Sequence, residues 1–159
     1  RDLHLSIRRQ RQMCIRDRFS NAHQKIKFLF KLEKNPTLII CDFQQVSQAL
    51  TNLLQNAVDS ITTKWGQEKE NKKSGSVDVT IEIKHGEEMI LSVIDNGFGL
   101  PFEGRDRLTE PYVTTREKGT GLGLAIVTKI ISDHNGSINF NSQKKGAKVK
   151  IILPINYVV

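Results

Sequence analysis

Asp95, Asn96, Gly97, Phe98 and Gly99 close an alternating apolar segment, and further on Gly119-Thr120-Gly121-Leu122-Gly123 opens a segment of helical period. A carboxylate at a strand end accepts hydrogen bonds and offers none, which suits an exocyclic amine such as that of adenine. Gly97 and Gly99 have no Cβ, so the backbone there can approach a flat ring closely. Free amides at a helix N-terminus, with the positive end of its dipole, suit phosphates. With base at one cluster and phosphates at the other, the run from Ile94 to Leu124 reads as enclosing a nucleotide. Upstream, Asn52 and Asn56 lie one turn apart on the periodic segment Phe43 to Ile61, so their amides point the same way. Asparagine is a poor helix-interior residue, and two beside an apolar stripe ask for a reason.

Other phosphate-binding patterns do not fit. The third glycine of G-x-G-x-x-G is replaced by Leu124, and no glycine is followed by Lys and then Ser or Thr, so neither a dinucleotide fingerprint nor a Walker A loop is present. Either glycine cluster alone would be no more than a turn.

The elements that must position these residues follow from periodicity. Ile26 to Cys41 reads as two strands joined by a turn near Asn35-Pro36. Asp42, with Gln45 three residues on, makes a capping box for a helix running to about Thr63. Lys64 to Ser76 is charged, aperiodic and reads as a solvated loop. Val77 to Lys84 alternates, turns at His85 to Glu88, and returns through Met89, Leu91 and Val93 to Asp95. Leu100 to Lys118 reads as a lid that ligand would order, with Thr114, Thr115, Arg116 and Lys118 supplying hydroxyls and cations. A helix from Leu122 to His134 stops at Asn135-Gly136, and a hairpin turning at Lys144-Lys145-Gly146 ends the chain. The expected fold is a two-layer α/β sandwich, a mixed β-sheet with helices packed on one face.

At 159 residues the chain has room for one domain with a proper core. Cys14 and Cys41 have no metal or disulfide spacing, the four histidines are scattered, and no apolar run spans a bilayer, so a cytoplasmic domain is expected. The net charge of +7 is concentrated in residues 1–18, where six arginines oppose Asp2 and Asp17. This head holds no lysine, whereas lysine dominates afterwards, so 1–18 is set aside as a basic head outside the fold and 19–159 as the domain. A charge so localised argues against a nucleic-acid partner.

Three elements in this order, an asparagine box, Asp-x-Gly-x-Gly and Gly-x-Gly-x-Gly, resemble the ATP-binding (GHKL, Bergerat-fold) domain shared by sensor histidine kinases, DNA gyrase, Hsp90 and MutL, over Lys27 to Pro154. The wording LTEPYVTTREKGTGLGLAIV resembles the NtrY/NtrB type of sensor kinase. The resemblance implies ATP and Mg²⁺ as ligands, with Asn56 coordinating Mg²⁺ and Asp95 fixing adenine. The nucleotide site would comprise Asn56, Asp95, Gly97, Gly99, Tyr112, Thr115, Arg116, Lys118, Gly119, Thr120, Gly121, Leu122, Gly123 and Leu124. Asn52 stands where hydrolysing relatives carry a glutamate; an amide cannot take a proton at neutral pH, so ATP would be held rather than hydrolysed.

The nucleophile would then be a histidine on a separate dimerisation domain of the same kinase, and a response regulator would follow as phosphate acceptor. Neither His4 nor His23 sits in such a histidine box, so this chain would be a monomeric catalytic part of a parent that is either free or anchored in the bacterial inner membrane. Five positions in three places depart from the family pattern. Thr109 and Tyr112 replace the lid phenylalanines, Asp59 replaces a phosphate-reaching lysine, and Val149-Lys150 replaces a Phe-Thr pair. Two other readings stay open: a serine kinase acting as an anti-sigma factor on the same fold, and a degenerate nucleotide-binding module.

Overall fold

The computed structural model describes residues 5–33, 39–67, 75–100, 110 and 121–155, the side chains of 5–13, 66 and 67 excepted. Among these residues, three helices and five strands follow in the order α1 (Leu5–Ala22), β1 (Ile26–Lys31), α2 (Phe43–Gln67), β2 (Gly75–Lys84), β3 (Glu88–Asp95), α3 (Gly123–Asp133), β4 (Ser137–Ser142) and β5 (Ala147–Pro154). The strands form one mixed sheet in the order β1-β2-β3-β5-β4. β1 runs parallel to β2, with α2 as the crossover, and every other pairing is antiparallel.

Register explains which face is covered. Residues directly opposite one another share a face, and the pairs Phe28↔Val77, Val79↔Val93, Leu91↔Ile151 and Ile138↔Ile151 join one apolar row across all five strands. That row shares a single core cluster with Leu53, Leu54, Ala57, Val58 and Ile61 of α2, Val127, Ile130 and Ile131 of α3, and Phe19 of α1. The helices therefore sit on one face of the sheet, as the alternation of the sequence required. Val77 pairs with Asp95, so the aspartate ends β3 on the covered face.

Two expectations are corrected. Ile39 and Ile40 are not in a strand, and Ile40 is 59 % exposed. β1 is an edge strand whose one partner is β2, so a second strand there has no neighbour among the described residues. The helix expected to end near Thr63 continues to Gln67, and Lys64 and Trp65 belong to it rather than to a solvated loop. The apolar spacing of Leu54, Val58, Ile61 and Trp65 already alternates by four and three, and Trp65 packs against the core.

The ends of both long core helices are fastened together. Asp42 Oδ1 accepts the Gln45 amide at 3.1 Å, one arm of the expected capping box. The other arm is not closed by Gln45. The Asp42 amide donates to His134 Nε2 at 2.9 Å, and His134 Nδ1 lies 2.7 Å from Ile130 O. A donor at Nε2 places the ring proton on Nδ1, which donates to the carbonyl. Beyond His134, Asn135 takes φ 56, its amide donates to Ser132 O and that of Gly136 to Ile131 O, closing α3 with a left-handed stop.

At the N-terminus, α1 passes through Arg18 and Phe19 without a break. Phe19 is buried beside Phe28, Ile15 packs on the core, and the Arg18 guanidinium reaches Thr51 Oγ1 at 3.4 Å.

Candidate nucleotide site

Helix α2 presents Asn52, Asn56, Ser60 and Lys64 at four-residue intervals, so they form one ridge about 18 Å long. This ridge meets both glycine clusters. Gly123, the first residue of α3, lies so close to Asn56 that a Cβ on it would stand 3.7 Å from Asn56 Oδ1 and 3.9 Å from its Nδ2. Leu122 precedes it as N-cap with no side-chain cap, so the first amides of α3 open beside the asparagine. Gly121 has φ 71, a left-handed turn that glycine adopts without penalty. Leu124 packs against the core and anchors α3.

The first cluster lies further along the same ridge. Asp95 is 8 % exposed, and its Oδ1 accepts the Gly97 amide at 2.8 Å, which fixes the carboxylate to the turn that follows it. Asn96 Oδ1 accepts the Ser76 amide at 2.8 Å and ties the turn to β2. Ser60 Oγ accepts the Phe98 amide at 3.0 Å, and Lys64 Nζ donates to Asn96 O at 3.1 Å and to Gly97 O at 3.0 Å. Gly97 is pressed onto α2, where a Cβ would meet the Ser60 backbone carbon at 2.8 Å. Gly99 has φ 88 and stacks on Gly146, whose carbonyl oxygen would lie 2.9 Å from an added Cβ. Gly146, itself at φ 93, presses on the Asp95 carbonyl and on Asn96.

The fold thus brings Gly123 against Asn56 and the turn of Asp95 to Phe98 against Ser60 and Lys64 of the same helix, with Asn52 one turn before Asn56; Gly121 and Leu122 lead into the first contact and Gly99 follows the second. Tyr112, Thr115, Arg116 and Lys118 of the lid, and Gly119 and Thr120 of the second cluster, lie outside the described residues. Asp59, at the position of the missing lysine, accepts from Gln55 Nε2 at 2.8 Å. Sequence reasoning missed Ser60, Lys64 and Gly146. The four-residue rhythm after Asn56 carried the first two, and nothing local marked Gly146 as more than a turn.

The donor set fits a nucleotide better than a metal cage. An uncapped helix N-terminus next to an amide side chain suits phosphates, and a buried carboxylate suits a base amine. Among the described residues no group of three or more His, Cys, Asp or Glu could hold a metal ion. A Mg²⁺ ion here would therefore rely on Asn56 together with phosphate oxygens and water, a pattern this cation tolerates. No described helix is long and apolar enough to cross a membrane.

Comparison with known proteins agrees. Nitrogen regulation protein NtrY of Azorhizobium caulinodans is 47 % identical over 114 residues, covering 70 % of this chain and 14 % of NtrY. Sensory histidine kinase/phosphatase NtrB of Azospirillum brasilense is 30 % identical over 149 residues, 86 % of this chain and 35 % of NtrB. The chain thus spans only a minor part of these relatives. Among solved structures, the catalytic domain of histidine kinase ThkA is 28 % identical with a TM-score of 0.74, covering 89 % of each chain. ThkA in complex with the response regulator protein TrrA matches at 24 % identity and a TM-score of 0.72, covering 97 % of this chain and 41 % of that one, and speaks for the fold alone. The model of the histidine kinase-, DNA gyrase B- and HSP90-like ATPases matches residues 41–157, from the cap of α2 to beyond the end of β5. That match takes in the asparagine ridge, both glycine clusters and the buried aspartate, and the chain belongs to this ATPase family.

Proposed function

We propose that this chain is the ATP-binding catalytic domain of a sensor histidine kinase of the NtrY/NtrB type, with residues 19–159 as the domain. It holds ATP with Mg²⁺ and presents the γ-phosphate to a histidine on a separate dimerisation domain of the same kinase, from which a response regulator takes it. The observation that carries this reading is the single ridge of α2, which touches Gly123 through Asn56 and the Asp95 turn through Ser60 and Lys64.

Each described residue then has a task. Asp95, fixed by Gly97, accepts from the adenine amine; a hydrogen bond to a charged group contributes roughly 1.5–3 kcal/mol. The first amides of α3 receive phosphate, and Asn56 supplies its carbonyl oxygen to Mg²⁺. Asn52 offers no base at neutral pH, so water is not activated from this position. Arg116, Lys118, Thr115, Thr120 and Gly119 contribute from the phosphate side and Tyr112 from the lid. Phosphoryl transfer needs positioning and charge neutralisation more than covalent chemistry from the protein, and these residues supply both. The domain alone is a monomer, and the parent is cytoplasmic or anchored in the bacterial inner membrane.

Calorimetric titration with AMPPNP, with and without Mg²⁺, tests the proposal. Wild type binds; Asp95→Asn reduces affinity by more than about tenfold, the equivalent of one such hydrogen bond. Asn56→Ala loses the Mg²⁺ dependence. A folded wild-type chain that binds no adenine nucleotide overturns the assignment.

A further inference from the structure

The two peptide groups that follow Asn96 are held at all four of their polar atoms. The carbonyls of Asn96 and Gly97 both accept from Lys64 Nζ. Their partner amides across the same planar units, those of Gly97 and Phe98, donate to Asp95 Oδ1 and Ser60 Oγ. In a planar trans peptide the C=O and N–H point in opposite directions, so fixing one aims the other. An ammonium that draws both carbonyls to its own turn of α2 therefore turns the Gly97 amide back onto Asp95 and the Phe98 amide onto Ser60, one turn earlier on the helix. Neither glycine nor the carboxylate can impose that orientation alone, because a glycine-flanked turn has wide freedom in φ and ψ.

The cation is well placed for this. Lys64 is half-buried, and its point charge with three rotatable donors can serve two carbonyls at once. It stands two turns beyond Asn56 on the ridge that carries the rest of the site. Among the described residues of α2, the nearest carboxylate, Asp59, is engaged by Gln55.

We infer that Lys64 is a positioning residue for base recognition: it aims Asp95 through the two peptide groups after Asn96, without touching the nucleotide. The inference rests on the proposed nucleotide site for its effect on binding and on the clamp geometry alone for its effect on the turn. Lys64→Met keeps an unbranched apolar stem and removes the charge, together with the ammonium that lies 5.9 Å from the Trp65 ring centroid. Lys64→Arg restores a cation able to bridge two carbonyls.

The 159-residue chain and both variants would be titrated with AMPPNP and GMPPNP, amide exchange read at Gly97 and Phe98, and unfolding followed by calorimetry. Lys64→Met is expected to bind AMPPNP about tenfold more weakly, to narrow the preference for AMPPNP over GMPPNP, and to exchange faster at both amides. Lys64→Arg is expected to recover most of the affinity, the preference and the protection. Unchanged affinity in folded Lys64→Met overturns the inference. So does an equal weakening towards both analogues accompanied by a lower melting temperature, the mark of a purely structural role. If the wild type binds neither analogue, the nucleotide assignment has failed, and the exchange rates of the two amides decide the clamp by themselves.

Discussion

Gly97 shows how little freedom the turn after Asp95 has. A Cβ there would meet the Ser60 backbone carbon at 2.8 Å, closer than real Cβ atoms come. Gly97→Ala is therefore expected to push the turn off α2 and to destabilise the chain by about 1–3 kcal/mol, the range of overpacked cores. Because backbone as well as side chain is in the way, Ser60→Gly should not rescue it; a double variant with wild-type stability and affinity, measured by calorimetry, would show that the contact is softer than described. The residue types at this site were legible in the sequence where each carries its own chemical signature: Asp95 at a strand end, paired asparagines, clustered glycines. Lys64 was not, since a lysine in a run of charged residues looks solvated until the fold brings the carbonyls of Asn96 and Gly97 to it. Gly146 was hidden for the same reason: its neighbours lie some fifty residues away in sequence.

Between elements, the decisive fastening is the meeting of the α2 N-terminus with the α3 C-terminus. His134 accepts the Asp42 amide and donates to Ile130 O, so one ring closes a donor of one helix against an acceptor of the other. His134→Ala leaves the Asp42 amide without that partner and is expected to cost about 1–2 kcal/mol. For a chain of this size that corresponds to a melting temperature lower by roughly 3–6 °C. His134→Gln, whose side-chain carbonyl can accept the same amide, should recover part of the loss; equal stability of wild type and His134→Ala would deny the ring a capping role. The capping box was half legible. Asp42 and Gln45 sit at the required spacing, but the second arm is closed from a helix that sequence spacing cannot relate to the first. The length of α2 was underestimated because the charged residues after Thr63 outweighed Trp65, the one apolar residue that continues the stripe onto the core.

At the level of the whole molecule, strand alternation was a sound guide because one face of the sheet is covered. With a period of two, each strand declares which residues face the helices, and the register joins them into one row. The segment from Ile39 to Cys41 misled because apolar residues leading into a helix cap resemble a short strand. The basic head is tested by trimming. Removing residues 1–18 takes away Ile15 and the Arg18 to Thr51 contact while leaving Phe19 and the whole α2 ridge in place. The melting temperature is expected to fall, with AMPPNP affinity changed less than about twofold, since the deletion shares no partner with the site. Any DNA binding should disappear with the head; a trimmed chain that binds DNA with a steep salt dependence would place a nucleic-acid surface on the domain itself.

The stacking of Gly99 on Gly146, with Gly146 in turn against the Asp95 carbonyl, has an evolutionary consequence. Both residues occupy left-handed conformations; Gly146 blocks the space a side chain on Gly99 would need, and the main chain of Asp95 and Asn96 blocks that of Gly146. Most packing conflicts can be relieved by shrinking the neighbour, but here the obstruction is main chain at both positions. In a saturation library, positions 99 and 146 should therefore behave as a frozen pair, intolerant singly and with no second-site suppressor at each other. Drift at the tip of the β4–β5 hairpin is then confined to Gln143, Lys144 and Lys145, and the turn after Asp95 is inherited as a unit with a hairpin tip that contributes no side chain to it.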